Sequence, residues 1–235
     1  MSIAAIIPAA GIGTRMGGDR PKQFFELGGV AILIRTLRKF HASPLIDRIV
    51  VALRGDERVE FSKLLAAESF EKPVDVVLGG DHRQESVARA LRGIDARVFE
   101  WVVVHDAVRP LFDPLLIESV LSEARKTGAA ICAIPVLDTI KQIDRQRVIA
   151  TLPRDRIVLV QTPQAFRTDL LRQSFEKAET ENFFGTDESM LMEHLGIEVG
   201  VVMGCERNIK ITRPSDLSLA EFYLGLESPG RGSKP

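Results

Sequence analysis

Short runs of wholly apolar residues recur along this 235-residue chain, and they limit its fold more than any other feature. They are Ala4–Ile7, Ile49–Leu53, Val74–Leu78 (broken only by Asp75), Trp101–His105 up to its closing histidine, and Ala129–Ile134. Runs that do not alternate with polar residues suit strands buried on both faces. Between them lie longer stretches with helical periodicity. Ile32–Ala42 puts Ile34, Leu37 and Phe40 near one face, Asp56–Ser69 starts with Asp56 in a capping position, and about Gln84–Leu91 follows. Pro114–Lys126 opens on the residue best tolerated in a first helical turn. Strands alternating with helices at this spacing predict an α/β fold of one domain: an open, mostly parallel twisted sheet with helices on both faces, Rossmann-like in outline.

Beyond Ile134 the pattern changes. Thr139–Asp144 and Val148–Leu152 are short and interleaved with polar residues around a charged turn, which predicts a β-hairpin arm over about 138–160 that leaves the sheet. Val158–Val160 then leads into Gln161-Thr162-Pro163-Gln164. Helices are expected over Asp169–Thr180 and Asp187–Leu195, strands over Glu198–Val202 and Asn208–Thr212, and a closing helix over Pro214–Leu226. Residues 227–235 read as a flexible polar tail.

The totals narrow the class. A net charge of −1 gives no global basic field for nucleic acid, so anions must be met by local clusters. No apolar run reaches membrane-spanning length, and the N-terminus enters a strand at once, without a signal-peptide pattern. Cys132 and Cys205 are too few for a disulfide framework and lack metal-site spacing, and Cys132 lies in an apolar strand as inert core. A cytoplasmic protein is the expectation.

The first strand breaks at Pro8 into Ala9-Ala10-Gly11-Ile12-Gly13-Thr14-Arg15-Met16, and Arg20-Pro21-Lys22 follow. Small residues let a ligand approach bare backbone, and successive N–H groups of such a loop can converge on phosphate. Arg15, Arg20 and Lys22 bring cations to the same region. The run is not a P-loop, which needs Gly-Lys followed by Ser or Thr. Nor is it a dinucleotide fingerprint, because the third glycine position is Met16. Arg54, rather than an acid, closes the second strand, which also speaks against a nicotinamide enzyme.

In open parallel sheets ligands bind at the carboxyl ends of the strands. Five segments are therefore expected to meet: Ala9–Lys22, Gly79–Ser86, Asp106–Arg109, Asp138–Lys141 and Lys210–Thr212. Asp81 and Ser86 can bond a base edge or ribose, or else form a turn and a helix cap. Asp106 can bind a polyol hydroxyl or a hydrated metal, or else pair with Arg109. His105 reads as structural, since no second residue is evidently arranged to orient it.

Several motifs run in order over almost the whole chain. They are Pro-Ala-Ala-Gly-x-Gly-x-Arg-Met with Pro-Lys-Gln, then Gly-Gly-x-x-Arg-x-x-Ser-Val at Gly79–Val87, and Val104-His105-Asp106-Ala107 with Arg109-Pro110. Asp138-Thr139 with Lys141, Thr162-Pro163-Gln164, and Asn208-Ile209-Lys210-Ile211-Thr212-Arg213-Pro214 complete the set. Together they resemble the 2-C-methyl-D-erythritol 4-phosphate cytidylyltransferases of the non-mevalonate isoprenoid pathway. The resemblance implies a nucleotidyltransferase that moves CMP from CTP to methylerythritol phosphate and releases pyrophosphate. It also implies a divalent cation, Mg²⁺, carried mainly by the CTP phosphates, with Asp106 near it and no direct protein ligand. A homodimer with exchanged arms is implied as well. Carried over by position, Arg15, Lys22 and Lys210 are catalytic, and Ala9, Ala10, Gly11, Gly13, Gly80, Asp81 and Ser86 hold the nucleotide. Asp106, Arg109, Thr139, Arg154, Thr186 and Thr212 take the second substrate, with Arg154 coming from the partner chain. Thr14 and Val108 depart from the commonest family pattern. Ribitol 5-phosphate cytidylyltransferases often carry that Val and are the nearest alternative. An inactive nucleotide-binding sensor is an alternative of another class, against which the presence of Arg15, Lys22, Arg154 and Lys210 counts.

Overall fold

The computed structural model describes residues 2–11 and 20–227. The expectations for Gly13, Thr14, Arg15 and the tail beyond 227 lie outside that range. Seven strands form one sheet: β1 (Ser2–Pro8), β4 (Arg48–Leu53), β5 (Val74–Leu78), β6 (Phe99–Val104), β7 (Ala129–Pro135), β10 (Val158–Arg167) and β11 (Gly200–Met203), in the order β11-β7-β10-β6-β1-β4-β5. β1 is parallel to β4 and β6, β4 to β5, and β7 to β11. Only β10 runs the other way, between β6 and β7.

The helices cover both faces, as the continuous apolar runs require. Ile3, Ala5 and Ile7 of β1 face a core with α1 (Ile32–Ala42), α2 (Arg58–Ala66) and α4 (Leu115–Thr127), while Ala4 and Ile6 face α3 (Arg83–Arg92), α5 (Thr168–Thr180) and α6 (Glu188–Leu195). This is the two-residue side-chain period of a strand whose two faces are both buried. α4 ends at Gly128 with φ +100° and α6 at Gly196 with φ +88°, the left-handed cap that glycine adopts without penalty. Helix α7 (Pro214–Glu227) packs with Leu27, Ile32, Val108, Leu111 and Ile211 in a third cluster, behind the loop that follows β6.

Gln161–Gln164, for which no element was expected, lies in β10, which runs ten residues and pairs with β6 and β7. Three expectations are corrected. The hairpin of β8 (Ile140–Asp144) and β9 (Arg147–Leu152) is a separate two-stranded sheet, so Val158–Val160 belong to the central ladder rather than to the arm. The expected strand over 208–212 is irregular, because its polar groups bond to side chains: Asn208 Nδ2 donates to the Thr162 carbonyl at 2.8 Å, and the Asn208 carbonyl accepts from Arg109 at 2.7 Å. Asp56 is not the capping residue of α2, a position held by Glu57, and its carboxylate pairs with Arg54. A short hairpin, β2 (Glu26–Leu27) with β3 (Val30–Ala31), lies beyond the sequence reading altogether.

Candidate functional site

The strand order reverses direction around β1, where β4 and β6 flank it on opposite sides. Such a switch point opens a crevice at the carboxyl ends of the strands. Two adjoining cavities lie there. The first, about 190 Å³, is bounded by Ala9, Ala10 and Gly11 after β1, Lys22, Gly80–Arg83 and Ser86 before and within α3, and Asp106–Val108 after β6. The second, about 210 Å³, is bounded by Arg109, Gln161, Thr162, Gln164, Thr186 and Asp187. Arg83, Asp106 and Lys210 line both.

Asp106 is the hub of that shared wall. Its Oδ1 takes Arg83 Nε at 3.2 Å, and its Oδ2 takes Arg109 Nε at 3.1 Å and Lys210 Nζ at 3.0 Å. Burial alone would push this carboxyl up, yet the Arg83, Lys210 and Arg109 cations hold it well below the usual carboxylate range. Arg83 also places Nη1 2.8 Å from both oxygens of the buried Glu188, at the start of α6. The irregular path of 208–212 delivers Lys210 to this point, pinned by Gln161, Asn208 and the Ile211 N–H on the Val108 carbonyl.

His105 sits behind the hub. Its Nδ1 meets Thr162 Oγ1 and its Nε2 meets the Arg109 carbonyl, both at 3.1 Å, and Thr162 Oγ1 also accepts the Asp106 N–H at 3.0 Å. The ring is structural, and burial pushes its pKa down to about 3. Below the ordinary histidine pKa of 6.5 the unfolded chain takes up a proton that the folded chain refuses, so stability falls on acidification. From pH 7 to pH 5 this one group is expected to cost about 2 kcal/mol. Denaturant midpoints at the two pH values check it: His105→Gln should lose less on acidification than the parent chain, and equal losses would remove His105 as the cause. Burial pushes the Cys132 thiol up to about 12, in keeping with an inert core residue.

The other expected residues divide. Ala9, Ala10, Gly11, Lys22, Gly80, Asp81 and Ser86 line the first cavity, although the Ser86 hydroxyl is already engaged, accepting the Gly80 N–H at 3.0 Å and so bracing its own loop. Arg109 and Thr186 line the second. Val108, one of the departures from the family pattern, is buried and lines the first. Thr212 lines neither, and its hydroxyl donates to Asp216 at 2.8 Å at the entry to α7. Arg20 turns away to Glu60 at 2.8 Å. Asp138–Lys141, the fifth expected segment, is out on the arm, where Thr139 is exposed and Lys141 donates to Thr151 at 2.6 Å. Arg154 is exposed below the arm and donates to the Leu137 carbonyl. Sequence reasoning missed Glu188, whose partner Arg83 is 105 positions away, and it missed Gln161 and Gln164. The Thr162-Pro163-Gln164 motif was a signal for Gln164, and Gln161 had none.

The sequence profile described as 2-C-methyl-D-erythritol 4-phosphate cytidylyltransferase matches residues 3–226. The chain belongs to that family. A protein of that name from Acidobacterium capsulatum is 47% identical, with 95% of this chain and 98% of the relative covered. Among solved structures, the 4-diphosphocytidyl-2C-methyl-D-erythritol synthase of Anaerococcus prevotii is 34% identical, with a TM-score of 0.84 over 95% of this chain and 98% of that one. The 2-C-methyl-D-erythritol 4-phosphate cytidylyltransferase of Francisella tularensis is 37% identical, with a TM-score of 0.81 over 94% and 99%. Family membership agrees with the mostly parallel sheet and with two cavities meeting at a cationic wall. It does not favour the ribitol 5-phosphate or sensor alternatives.

Proposed function

We propose that this chain transfers CMP from CTP to 2-C-methyl-D-erythritol 4-phosphate, releasing pyrophosphate, in isoprenoid precursor synthesis. The observation that carries the reading is the shared wall: one buried carboxylate, Asp106, gathers Arg83, Arg109 and Lys210 between two adjoining cavities. A reaction between two phosphate anions needs cations at their meeting point. The first cavity takes the nucleotide, with Ala9–Gly11, Gly80, Asp81 and Ser86 around cytidine and Lys22 and Arg15 toward the triphosphate. The second takes the polyol phosphate, with Arg109 and Thr186 along it.

Near pH 7 a phosphate monoester is mostly a dianion and is already a nucleophile. No general base is required, which suits a site whose buried histidine, His105, is committed to Thr162 and the Arg109 carbonyl. Attack of a phosphate oxygen on the α-phosphorus forms one P–O bond as the bond to pyrophosphate breaks, and the chain's task is alignment and charge neutralisation. Magnesium would neutralise triphosphate charge. Both Asp106 oxygens are occupied by cations, so the ion would be carried by the phosphates of CTP. The arm would complete the site of a second copy in a homodimer, bringing Arg154 and Thr139 to the polyol phosphate. Among the described residues no helix is long and apolar enough to cross a membrane. The cytoplasm is proposed as the place of the reaction on the family reading alone.

The test is pyrophosphate release with CTP and Mg²⁺ against competing polyol phosphates. Methylerythritol phosphate is expected to exceed ribitol 5-phosphate in kcat/KM. Preference for ribitol 5-phosphate would overturn the assignment of substrate while leaving the cytidylyl transfer in place.

A further inference from the structure

The Pro21-Lys22-Gln23 motif holds a residue that the chemistry above leaves without a role. Gln23 is 1% exposed, on a single tight turn over Lys22–Phe24. Its carboxamide donates to the Ala9 carbonyl at 2.7 Å and to Glu57 Oε1 at 3.0 Å. Glu57 is buried as well, and its other oxygen accepts the Arg54 N–H at 3.3 Å. Ala9 is itself fixed, its N–H donating to the Ala52 carbonyl at 2.8 Å. One side-chain amide thus ties together the end of β1, the start of the segment after β4, and the turn that carries Lys22. Beside it, Phe24 is fully buried in the core under α1.

We propose that Gln23 is a positioning residue for Lys22, holding the lysine turn against the end of β1 so that the ammonium group faces the nucleotide cavity. This rests on the reading of Lys22 as a catalytic cation. A four-carbon stem on an untethered turn would sample many positions. A point charge acts on a developing charge only while it is held in place, and displacement by about 1 Å can cost about 10²-fold in rate. Of the turn, Phe24 is committed to the core, and Lys22 and Gln23 both border the cavity, Gln23 with its amide nitrogen bonded to the Ala9 carbonyl and to Glu57. An amide suits the task because one nitrogen donates to two acceptors at once.

The test is a double-mutant cycle on pyrophosphate release, with kcat and KM for CTP measured for Gln23→Ala, Lys22→Ala and the pair. Gln23→Ala is expected to lower kcat by about 10-fold or more, with KM for CTP changed far less. In the Lys22→Ala background the same substitution is expected to change kcat by less than about twofold, because there is no longer a charge to misplace. A residue that matters only for stability would reduce activity equally in both backgrounds, so losses that multiply would overturn the proposal. So would unchanged kcat in Gln23→Ala when Lys22→Ala is impaired. If Lys22→Ala is itself unimpaired, the reading of Lys22 fails first and takes this inference with it, a pattern distinct from either of the others. Glu57→Ala removes one of the two anchors from outside the motif and repeats the cycle should Gln23→Ala fail to fold. It too should be silent without Lys22, and an equal loss in both backgrounds overturns the proposal.

Discussion

Lys22→Ala is expected to lower turnover by about 10²–10³-fold while changing the KM for CTP far less. Lys22 shares a small cavity with Lys210 and Arg83, bounded by the backbone of Ala9–Gly11. As pyrophosphate departs, negative charge grows on the leaving oxygens. A cation held beside them is worth more in that state than in the ground state, where this charge has not yet developed. The effect should therefore fall on kcat. Steady-state pyrophosphate release over a range of CTP concentrations separates the two parameters. Unchanged kcat with a raised KM would show that Lys22 binds ground state and transition state equally.

Mixing Lys22→Ala chains with Arg154→Ala chains is expected to restore activity that neither has alone. Arg154 lines neither cavity of its own chain, and the hairpin and the residues leading into it expose Leu137, Ile143, Val148 and Ile149, each more than half accessible. A two-stranded hairpin with such residues in water is marginal by itself. Seated on a second copy, it would bury them and bring Arg154 to the other chain's second cavity. In a mixed dimer with exchanged arms, one site would carry both lesions and the other neither. Random reassortment of equal amounts makes half of the dimers mixed, so about a quarter of all sites should recover. The two variants are unfolded and refolded together, mixed dimers are verified by mass, and activity is assayed. Mixed dimers without recovery would place Arg154 in the service of its own chain.

The parallel part of the sheet was legible because strands buried on both faces cannot hide their composition. Ile49–Leu53 and Ala129–Ile134 could be little else. β10 was not legible, because Gln161, Thr162, Pro163 and Gln164 at its middle show neither the apolar run nor the alternation of a strand. Their polarity is instead consumed inside the protein, Gln161 on Cys205 and Asn208, Thr162 on Asp106 and His105, and Gln164 on Asp187. The opposite error arose at Asn208–Thr212, whose alternation imitates a strand but whose backbone is held by side chains from elsewhere. At the site, Asp106, Arg109 and Lys210 were accessible through motifs, and the ion pair of Asp106 with Arg109 could be read from their spacing. Glu188 was not, because nothing local distinguishes an acid at the start of α6 from a solvated one. Its role exists only through contact with Arg83. Arg20 was misread for the complementary reason: proximity in sequence to Lys22 does not stop a long side chain from finding Glu60.

The reversed course of β10 limits how the length of this chain can drift over evolution. The strand leaves the arm at Val158, pairs with β7 from there and with β6 as well from Gln164, and sets Thr162 against Asp106 between the two. Ala165 and Phe166 then face opposite cores. A single residue gained or lost within this stretch would turn every following side chain to the wrong face. The tip of the hairpin has no such constraint: Arg145 and Gln146 turn the chain there with φ of 42° and 70°, far from any ladder but their own. Insertions and deletions among relatives should therefore collect at the tip, where the arm can change its reach, and be purged from Val158 onward, where a change of one residue would be felt at the Asp106 hub.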